Sequence, residues 1–265
     1  MLKNKKWGQK SNLFLCRINY YLYLCAVQTL SLRSTDITFA QYRQYHFYNV
    51  GRAYRLMDWK QLISNKRFGQ EERHRLRHDD RSEFKRDYDR LIFSAPFRRM
   101  QNKTQVFPLP GSIFVHNRLT HSLEVASVGM SLGNDTARVI LERRPDLAGT
   151  LFEEIGTIVS AACLAHDMGN PPFGHSGEKA IQAFFREGPG QELQSQLSPE
   201  FWNDLIHFEG NANAFRLLTH RFHGRREGGF VMTYAMLASI VKYPFESLYA
   251  GKHGKFGFFR TERDA

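Results

Sequence analysis

Residues 161–178 read AACLAHDMGNPPFGHSGE: an apolar run ends on a His-Asp pair, breaks at Asn-Pro-Pro, and resumes with a second histidine and a glutamate. The run belongs to residues 153–168, which are apolar on nearly all sides, and this pattern predicts a helix that is buried on most faces. The break at Asn170-Pro171-Pro172 predicts a rigid corner after that helix. The stretch therefore predicts a buried helix that carries His166 and Asp167 into the protein interior.

Helical signals dominate the chain from residue 57 onward. Leu119, Leu123, Ala126 and Met130 recur at helical spacing within residues 119–132. Further helices are predicted at 176–187, from Ser198-Pro199-Glu200 onward, and at 231–243 before Pro244. No run of alternating polar and apolar residues lies between turns, so no sheet is expected. The predicted fold class is an all-α helical bundle.

The chain has a net charge of +11, and most of that charge lies in its first 56 residues. They hold nine of its 37 basic residues but only one of its 26 acidic residues, Asp36. Arg17 and Asn19 interrupt the apolar stretch, which argues against a secretory signal or a membrane span. We expect residues 1–56 to be a disordered or non-native leader, with Met57 as a more plausible start and residues 57–265 as a separate, main portion of the chain.

The chain has three cysteines, Cys16, Cys25 and Cys163. Two of them lie in the leader and the third lies alone in the apolar run, so neither a disulfide framework nor a cysteine-based zinc site can be built. A reducing, cytoplasmic location is expected.

The His166-Asp167 pair predicts either a metal site, or a structural role in which Asp167 caps a backbone turn or forms a buried ion pair. An ionised carboxylate at the end of an apolar helix is costly unless a cation or several donors compensate its charge. Arg118 could provide that charge, and the two alternatives are equal on local context alone. A similar pair, His78-Asp79, lies in a charged, surface-like segment and serves as a contrast.

His121 favours the metal alternative because it also lies on a helix with an apolar face. Two imidazoles and one carboxylate leave coordination positions open for water and substrate, as in catalytic metal sites. Such ligands suit Mn²⁺, Mg²⁺, Fe²⁺ or Zn²⁺.

His175 and Glu178 lie three residues apart at the start of a helix, so they share one face. Gly174 and Gly177 beside them would let a ligand approach the backbone closely. A histidine and a glutamate next to a metal site are suited to general acid-base catalysis. Alternatively, Glu178 is simply an acidic residue that stabilises a helix N-terminus.

Four motifs together resemble one known family, the deoxyguanosine triphosphate triphosphohydrolases among the HD-domain metallohydrolases. They are RSEFKRDYDRLIFSAPFRRMQNKTQVFP (81–108), HNRLTHSLEV (116–125), CLAHDMGNPPFGHSGE (163–178) and FEGNANAFRLL (208–218). The resemblance covers most of residues 57–265. It implies hydrolysis of a dNTP, with dGTP favoured, to the deoxynucleoside and tripolyphosphate.

The resemblance also implies a role for each matching residue. His121, His166 and Asp167 match metal ligands, with Mn²⁺ or Mg²⁺ favoured. His175 matches the proton donor to the leaving 5′-oxygen, and Glu178 matches its orienting partner. Two matches concern the substrate: Arg118 matches a phosphate-binding arginine, and Gln101 matches the residue that senses the sugar 3′-hydroxyl, although Asn102 stands beside it. The family also implies a homo-oligomer for the full-length protein.

The chain departs from the family pattern at its C-terminal end. The family's HD motif includes a further aspartate in a downstream helix, and Asp264 has neither its context nor its spacing. We therefore expect a C-terminally truncated HD bundle, in which residues 1–265 bind metal weakly and turn over slowly.

Two other functions fit parts of the sequence. An HD nucleotidase or phosphodiesterase would release orthophosphate or a monophosphate. A non-catalytic binder of nucleotides or single-stranded DNA would use basic side chains on the phosphates; the candidates are Arg98, Arg99, Lys103, Arg225 and Arg226. A solvated basic surface would account for the same side chains.

Overall fold

The computed structural model describes residues 59–71, 80–103, 117–224, 227–250 and 254–265. The predicted leader, Met57, the contrasting pair His78-Asp79, and Arg225 and Arg226 lie outside these ranges. In the described ranges the secondary structure is helical and contains no strand; β geometry is limited to isolated bridge residues, among them the pair Arg67 and Thr233. The all-α prediction is confirmed.

Nine α-helices lie within the described ranges. They are α1 (Trp59–Leu62), α2 (Glu83–Ile92), α3 (Ala95–Arg99), α4 (Arg118–Arg143), α5 (Ile155–Ala165), α6 (His175–Arg186), α7 (Pro199–Ile206), α8 (Gly210–Thr219) and α9 (Tyr234–Ile240). Short 3₁₀ turns lie between them at Met100–Asn102, Pro145–Leu147, Leu151–Glu154, Pro189–Gln196, Ser247–Tyr249 and Arg260–Glu262. None of these helices has both the length and the apolar sequence needed to cross a bilayer.

Local sequence explains where the main helices begin. Asn117 and Thr120 form a reciprocal capping box at the start of α4, in which each side chain accepts from the other residue's backbone N–H. Ser198 caps α7 by accepting from the N–H of Phe201, as its Ser-Pro-Glu sequence predicts. The predicted 231–243 helix is shorter, because Val231 has a φ of 56° and Val241 is extended.

Helix α5 is the centre of the fold. It packs against α4, α2 and α9, and all its residues except Thr157 are buried. The helix is shorter than the predicted 153–168, because residues 151–154 form a 3₁₀ turn and α5 ends at Ala165. The burial predicted from its all-round apolar sequence is confirmed.

Glycines bring α4 and α5 into close contact. A Cβ at Gly133 would lie 2.7 Å from the Cα of Gly156, and a Cβ at Gly129 would lie 2.7 Å from the Sγ of Cys163. Because backbone lies opposite Gly133, a side chain there could be accommodated only by moving a helix. The close contact between α4 and α5 fixes the distance between the start of α4, which carries His121, and the end of α5, which His166 and Asp167 follow.

Substitution of Gly133→Ala should destabilise the protein by about 1–3 kcal/mol, because the added methyl group meets the backbone of Gly156. Helix propensity alone would favour alanine by about 1 kcal/mol. A net loss of stability would therefore show that the added methyl group clashes with α5. Urea unfolding measures the change, with Ser127→Ala on the exposed face of α4 as the control. A Gly133→Ala protein as stable as the wild type would contradict this packing.

Candidate metal centre

Three predicted ligands, His121, His166 and Asp167, come together where α4 begins and α5 ends. One donor atom from each of the three lies within 4.8 Å of the other two. The imidazole centroids of His121 and His166 are 5.4 Å apart, and Nε2 of His166 lies 3.4 Å from Oδ1 of Asp167. Residues separated by 45 positions in sequence thus converge on one small volume.

The tautomer of His166 follows from its hydrogen bond to the backbone. Its Nδ1 lies 2.6 Å from the carbonyl oxygen of Cys163. A carbonyl oxygen can only accept, so Nδ1 carries the proton and donates it. In the neutral ring the lone pair is then on Nε2, the nitrogen that lies closer to Asp167. This backbone bond is of the kind that orients metal-ligating histidines.

Asp167 is buried and held by two donors. Nη1 of Arg118 donates to its Oδ2 over 2.8 Å, and the side-chain amide of Asn170 donates to its Oδ1. Burial alone would raise the pKa of Asp167, but the charges of His166, Arg118 and His121 outweigh it, so that the pKa lies below its usual value. The ion pair with Arg118 is therefore present alongside the histidine cluster.

The three donors fit a divalent first-row metal ion. Such an ion with bonds of about 2.1 Å holds its donors within about 4.2 Å of each other, so donors within 4.8 Å need only a small adjustment. Burial and the neighbouring His166 lower the pKa of His121, which favours the neutral form whose lone pair can bind a metal. Imidazole nitrogens with one carboxylate oxygen suit manganese, iron or zinc, and magnesium would rely mainly on the oxygen.

The Asn170-Pro171-Pro172 corner is packed against α8. A Cβ at Gly169 would lie 2.1 Å from the backbone N of Ala214, and a Cβ at Gly210 would lie 2.1 Å from Oδ1 of Asn170 and 2.8 Å from Oε1 of Glu178. The first residue of α8 thus lies between Asn170, which binds Asp167, and Glu178. Glycine at position 210 allows these polar groups to approach one another.

Glu178 is buried on α6 but is not hydrogen-bonded to His175. Its Oε1 accepts from the backbone N–H of Gly210 over 2.9 Å, and its Oε2 lies 3.5 Å from Nζ of Lys255. His175, the first residue of α6, is exposed. Phe173 and Gly174, with φ of 65° and 56°, turn the chain into α6. The orienting contact between Glu178 and His175 is therefore absent from this conformation.

Gln101, the predicted sensor of the sugar 3′-hydroxyl, is exposed in the Met100–Asn102 turn, as is Asn102. That turn packs against α4, and the carbonyl of Lys103 accepts from the N–H of Arg118. The Lys103 ammonium donates to the carbonyls of Met168 and Asn170, over 3.3 and 3.0 Å. Burial and the charge of Arg118 lower the pKa of Lys103. Lys103 thus fastens the segment after Gln101 to the corner that follows Asp167.

Four residues of this neighbourhood were not predicted as site residues: Asn170, Glu209, Gly210 and Lys255. The FEGNANAF motif contains Glu209 and Gly210, which was a usable signal for these two. Lys255 lies 77 positions after Glu178, and nothing in its local sequence points to that carboxylate.

Loss of Asp167, the anionic member of the three described donors, should weaken metal binding. We expect Asp167→Asn, and independently His121→Gln, to lower Mn²⁺ affinity at least about tenfold, because even the partners of ligands commonly contribute that much. Titration of free Mn²⁺ by electron paramagnetic resonance measures the affinity, and circular dichroism checks that each variant folds. The exposed His223 gives a control, His223→Gln, with unchanged affinity. Equal affinity for the wild type and His121→Gln would exclude this cluster as the binding site.

Comparison with known proteins agrees with the geometry. Residues 118–225 match the HD domain family. A Pseudomonas aeruginosa protein named deoxyguanosinetriphosphate triphosphohydrolase-like is 44% identical over 210 residues, which is 78% of this chain and 47% of the relative. A Synechocystis protein of the same name is also 44% identical, over 78% of this chain and 49% of its own length.

A more distant relative bears the unqualified name. The Serratia proteamaculans deoxyguanosinetriphosphate triphosphohydrolase is 36% identical over 71% of this chain and 41% of its own length. The chain thus spans about half the length of the curated relatives it matches. The predicted resemblance is confirmed: this chain belongs to the HD-domain proteins of the deoxyguanosinetriphosphate triphosphohydrolase family.

Proposed function

We propose that this chain carries the catalytic HD core of a metal-dependent hydrolase that converts a dNTP, with dGTP favoured, into the deoxynucleoside and tripolyphosphate. The observation that carries the proposal is the convergence of His121, His166 and Asp167, with Asn170 and Gly210 between Asp167 and Glu178. The names of the relatives agree with this substrate class.

The reaction requires a nucleophile, charge neutralisation and a proton. An oxygen of water bonds to the α-phosphorus, the bond from phosphorus to the 5′-oxygen breaks, and a proton reaches that oxygen. A divalent ion held by His121, His166 and Asp167 would supply Lewis acidity at the phosphate and lower the pKa of water. Mn²⁺ or Mg²⁺ is favoured, with Fe²⁺ and Zn²⁺ as alternatives.

His175 is the proposed proton donor, with Glu178 as its orienting partner. His175 is exposed at the first position of α6, where a substrate can reach it. The N–H groups at the start of a 12-residue helix favour an anion such as a phosphate there. Because Glu178 lies one turn further along α6, a rotation of the His175 side chain toward it completes the pair.

Arg118 and Gln101 are the proposed substrate-binding residues. Nη1 of Arg118 binds Asp167, but its buried Nε has no hydrogen-bond partner among the described residues. A buried donor without an acceptor is costly, and a phosphate oxygen would satisfy it. Gln101 has an exposed side chain that can meet a sugar hydroxyl. A homo-oligomer and a cytoplasmic location stay predictions.

Glu178→Gln should lower the single-turnover rate constant for dGTP hydrolysis by about 10²-fold or more, as expected for loss of an acid-base partner. The chain spans about half the length of its relatives, and slow turnover is expected of it. The assay therefore uses Mn²⁺ with the chain in excess over nucleotide, so that a single turnover can be followed. Ion chromatography identifies the phosphate product. Tripolyphosphate supports the proposal, whereas orthophosphate or a monophosphate would indicate an HD nucleotidase or phosphodiesterase.

Binding of single-stranded DNA is a second candidate function, favoured by a basic cavity that Met168 also lines. Its volume is about 1120 Å³, and the charged residues among its described lining, Arg90, Arg99 and Lys103, are all basic. Phe93 also lines it and is exposed, which gives a base a surface to stack on. Arg98 is exposed nearby but does not line the cavity.

Arg99→Gln should weaken binding of a labelled oligothymidylate and reduce the slope of log affinity against log salt by about one. Fluorescence anisotropy between about 50 and 200 mM salt measures both quantities. His121→Gln should leave this binding unchanged, since His121 does not line the cavity. An unaltered affinity in Arg99→Gln would assign these side chains to a solvated basic surface.

A further inference from the structure

Lys255 is held between two carboxylates at the start of α8. Its Nζ lies 2.6 Å from Oε1 of Glu209 and 3.5 Å from Oε2 of Glu178. Glu209 is itself fixed, because its Oε2 caps α8 by accepting from the N–H groups of Asn211 and Ala212. Lys255 therefore joins Glu178 to a rigid helix N-terminus.

The segment that carries Lys255 is anchored by its own packing. The next residue, Phe256, is completely buried and packs with Phe259 against Ala212 of α8. The N–H of Gly257 donates to the carbonyl of Phe245, and the N–H of Arg260 donates to Asp204 of α7. These contacts fix the backbone position of Lys255, and from that position its side chain reaches Glu178.

The lysine remains charged in this setting. Burial lowers the pKa of Lys255, but the carboxylates of Glu209 and Glu178 outweigh it and raise the pKa above its usual value. The charge matters because each oxygen of Glu178 has one partner: the Gly210 N–H holds Oε1 and Lys255 holds Oε2. With Lys255 removed, a single hydrogen bond would hold the carboxylate, which could then rotate about it.

We propose that Lys255 is a positioning residue that acts through Glu178 by fixing the plane of this carboxylate beside Gly210. The inference rests on the proposed function, in which Glu178 orients the proton donor His175. Lys255 contributes to the rate of the chemical step by keeping Glu178 in one orientation. Direct binding of substrate phosphate by the same ammonium is the competing explanation, and the two predict different kinetics.

The test is a double-mutant cycle between Lys255 and Glu178 in the full 265-residue chain. Lys255→Met should lower kcat for dGTP about tenfold to hundredfold and leave KM within about threefold. In the Glu178→Gln background the same substitution should have little further effect, because its action passes through the missing carboxylate. Lys255→Arg, which keeps the cation, should recover most of kcat.

Lys179 gives the matched control. It is exposed on the same helix, next to Glu178, so Lys179→Met removes an equal charge and should leave kcat unchanged. A rise in KM without loss of kcat in Lys255→Met, or a full additional loss in the Glu178→Gln background, would assign Lys255 to phosphate binding. An unchanged kcat in Lys255→Met would likewise overturn the proposal.

A second measurement does not depend on turnover. Loss of Lys255 should loosen the bond from the buried Gly210 N–H to Glu178, so that this amide exchanges with solvent faster in Lys255→Met than in the wild type or Lys179→Met. Nuclear magnetic resonance follows the exchange. If the wild type hydrolyses no dNTP, the proposed function fails, but this exchange still decides whether Lys255 holds Glu178. Equal exchange in all three proteins would show that it does not.

Discussion

The ionised carboxylate of Asp167, buried at the end of an apolar helix, is the constraint on which the rest of the site depends. Carrying an uncompensated charge into an interior costs several kcal/mol, of the order of 3–5 kcal/mol when a buried pair is broken. The fold meets this cost with Arg118 from the first turn of α4 and with Asn170 from the following corner. The burial of Asp167 therefore requires both the start of α4, which carries Arg118, and the turn after α5, which carries Asn170.

Close backbone packing makes this compensation geometrically feasible. Gly129 and Gly133 let α4 lie against α5, which brings His121 and Arg118 to His166 and Asp167. Gly169 and Gly210 let α8 lie against the corner, which brings the N–H of Gly210 to Glu178. The polar groups of the site meet because there are no side chains between the helices at these points. Packing and chemistry thus depend on the same glycines.

The sequence predicted those parts of the site that depend on local pattern. The all-round apolar run predicted α5 and its burial, and the residue types of His121, His166 and Asp167 predicted their convergence. Contacts between distant segments left no local signal: Lys255 reaches Glu178 only because Phe256 packs against α8. The sequence also could not predict side-chain conformation. The spacing of His175 and Glu178 permits a contact between them, but in this conformation Glu178 binds Gly210 and His175 is exposed.

The two interpretations of Arg118, counter-ion of Asp167 and phosphate ligand, are compatible once its donors are counted. A guanidinium has five N–H donors in one plane, and Nη1 uses one of them on Asp167. The buried Nε lacks a partner among the described residues, and a fully buried donor of this kind costs about 1–3 kcal/mol. An anionic oxygen that accepts from Nε would remove that cost without breaking the bond to Asp167. The same side chain can therefore stabilise the buried carboxylate in the free protein and bind a phosphate when substrate is present, and its incomplete hydrogen bonding favours the second role as well as the first.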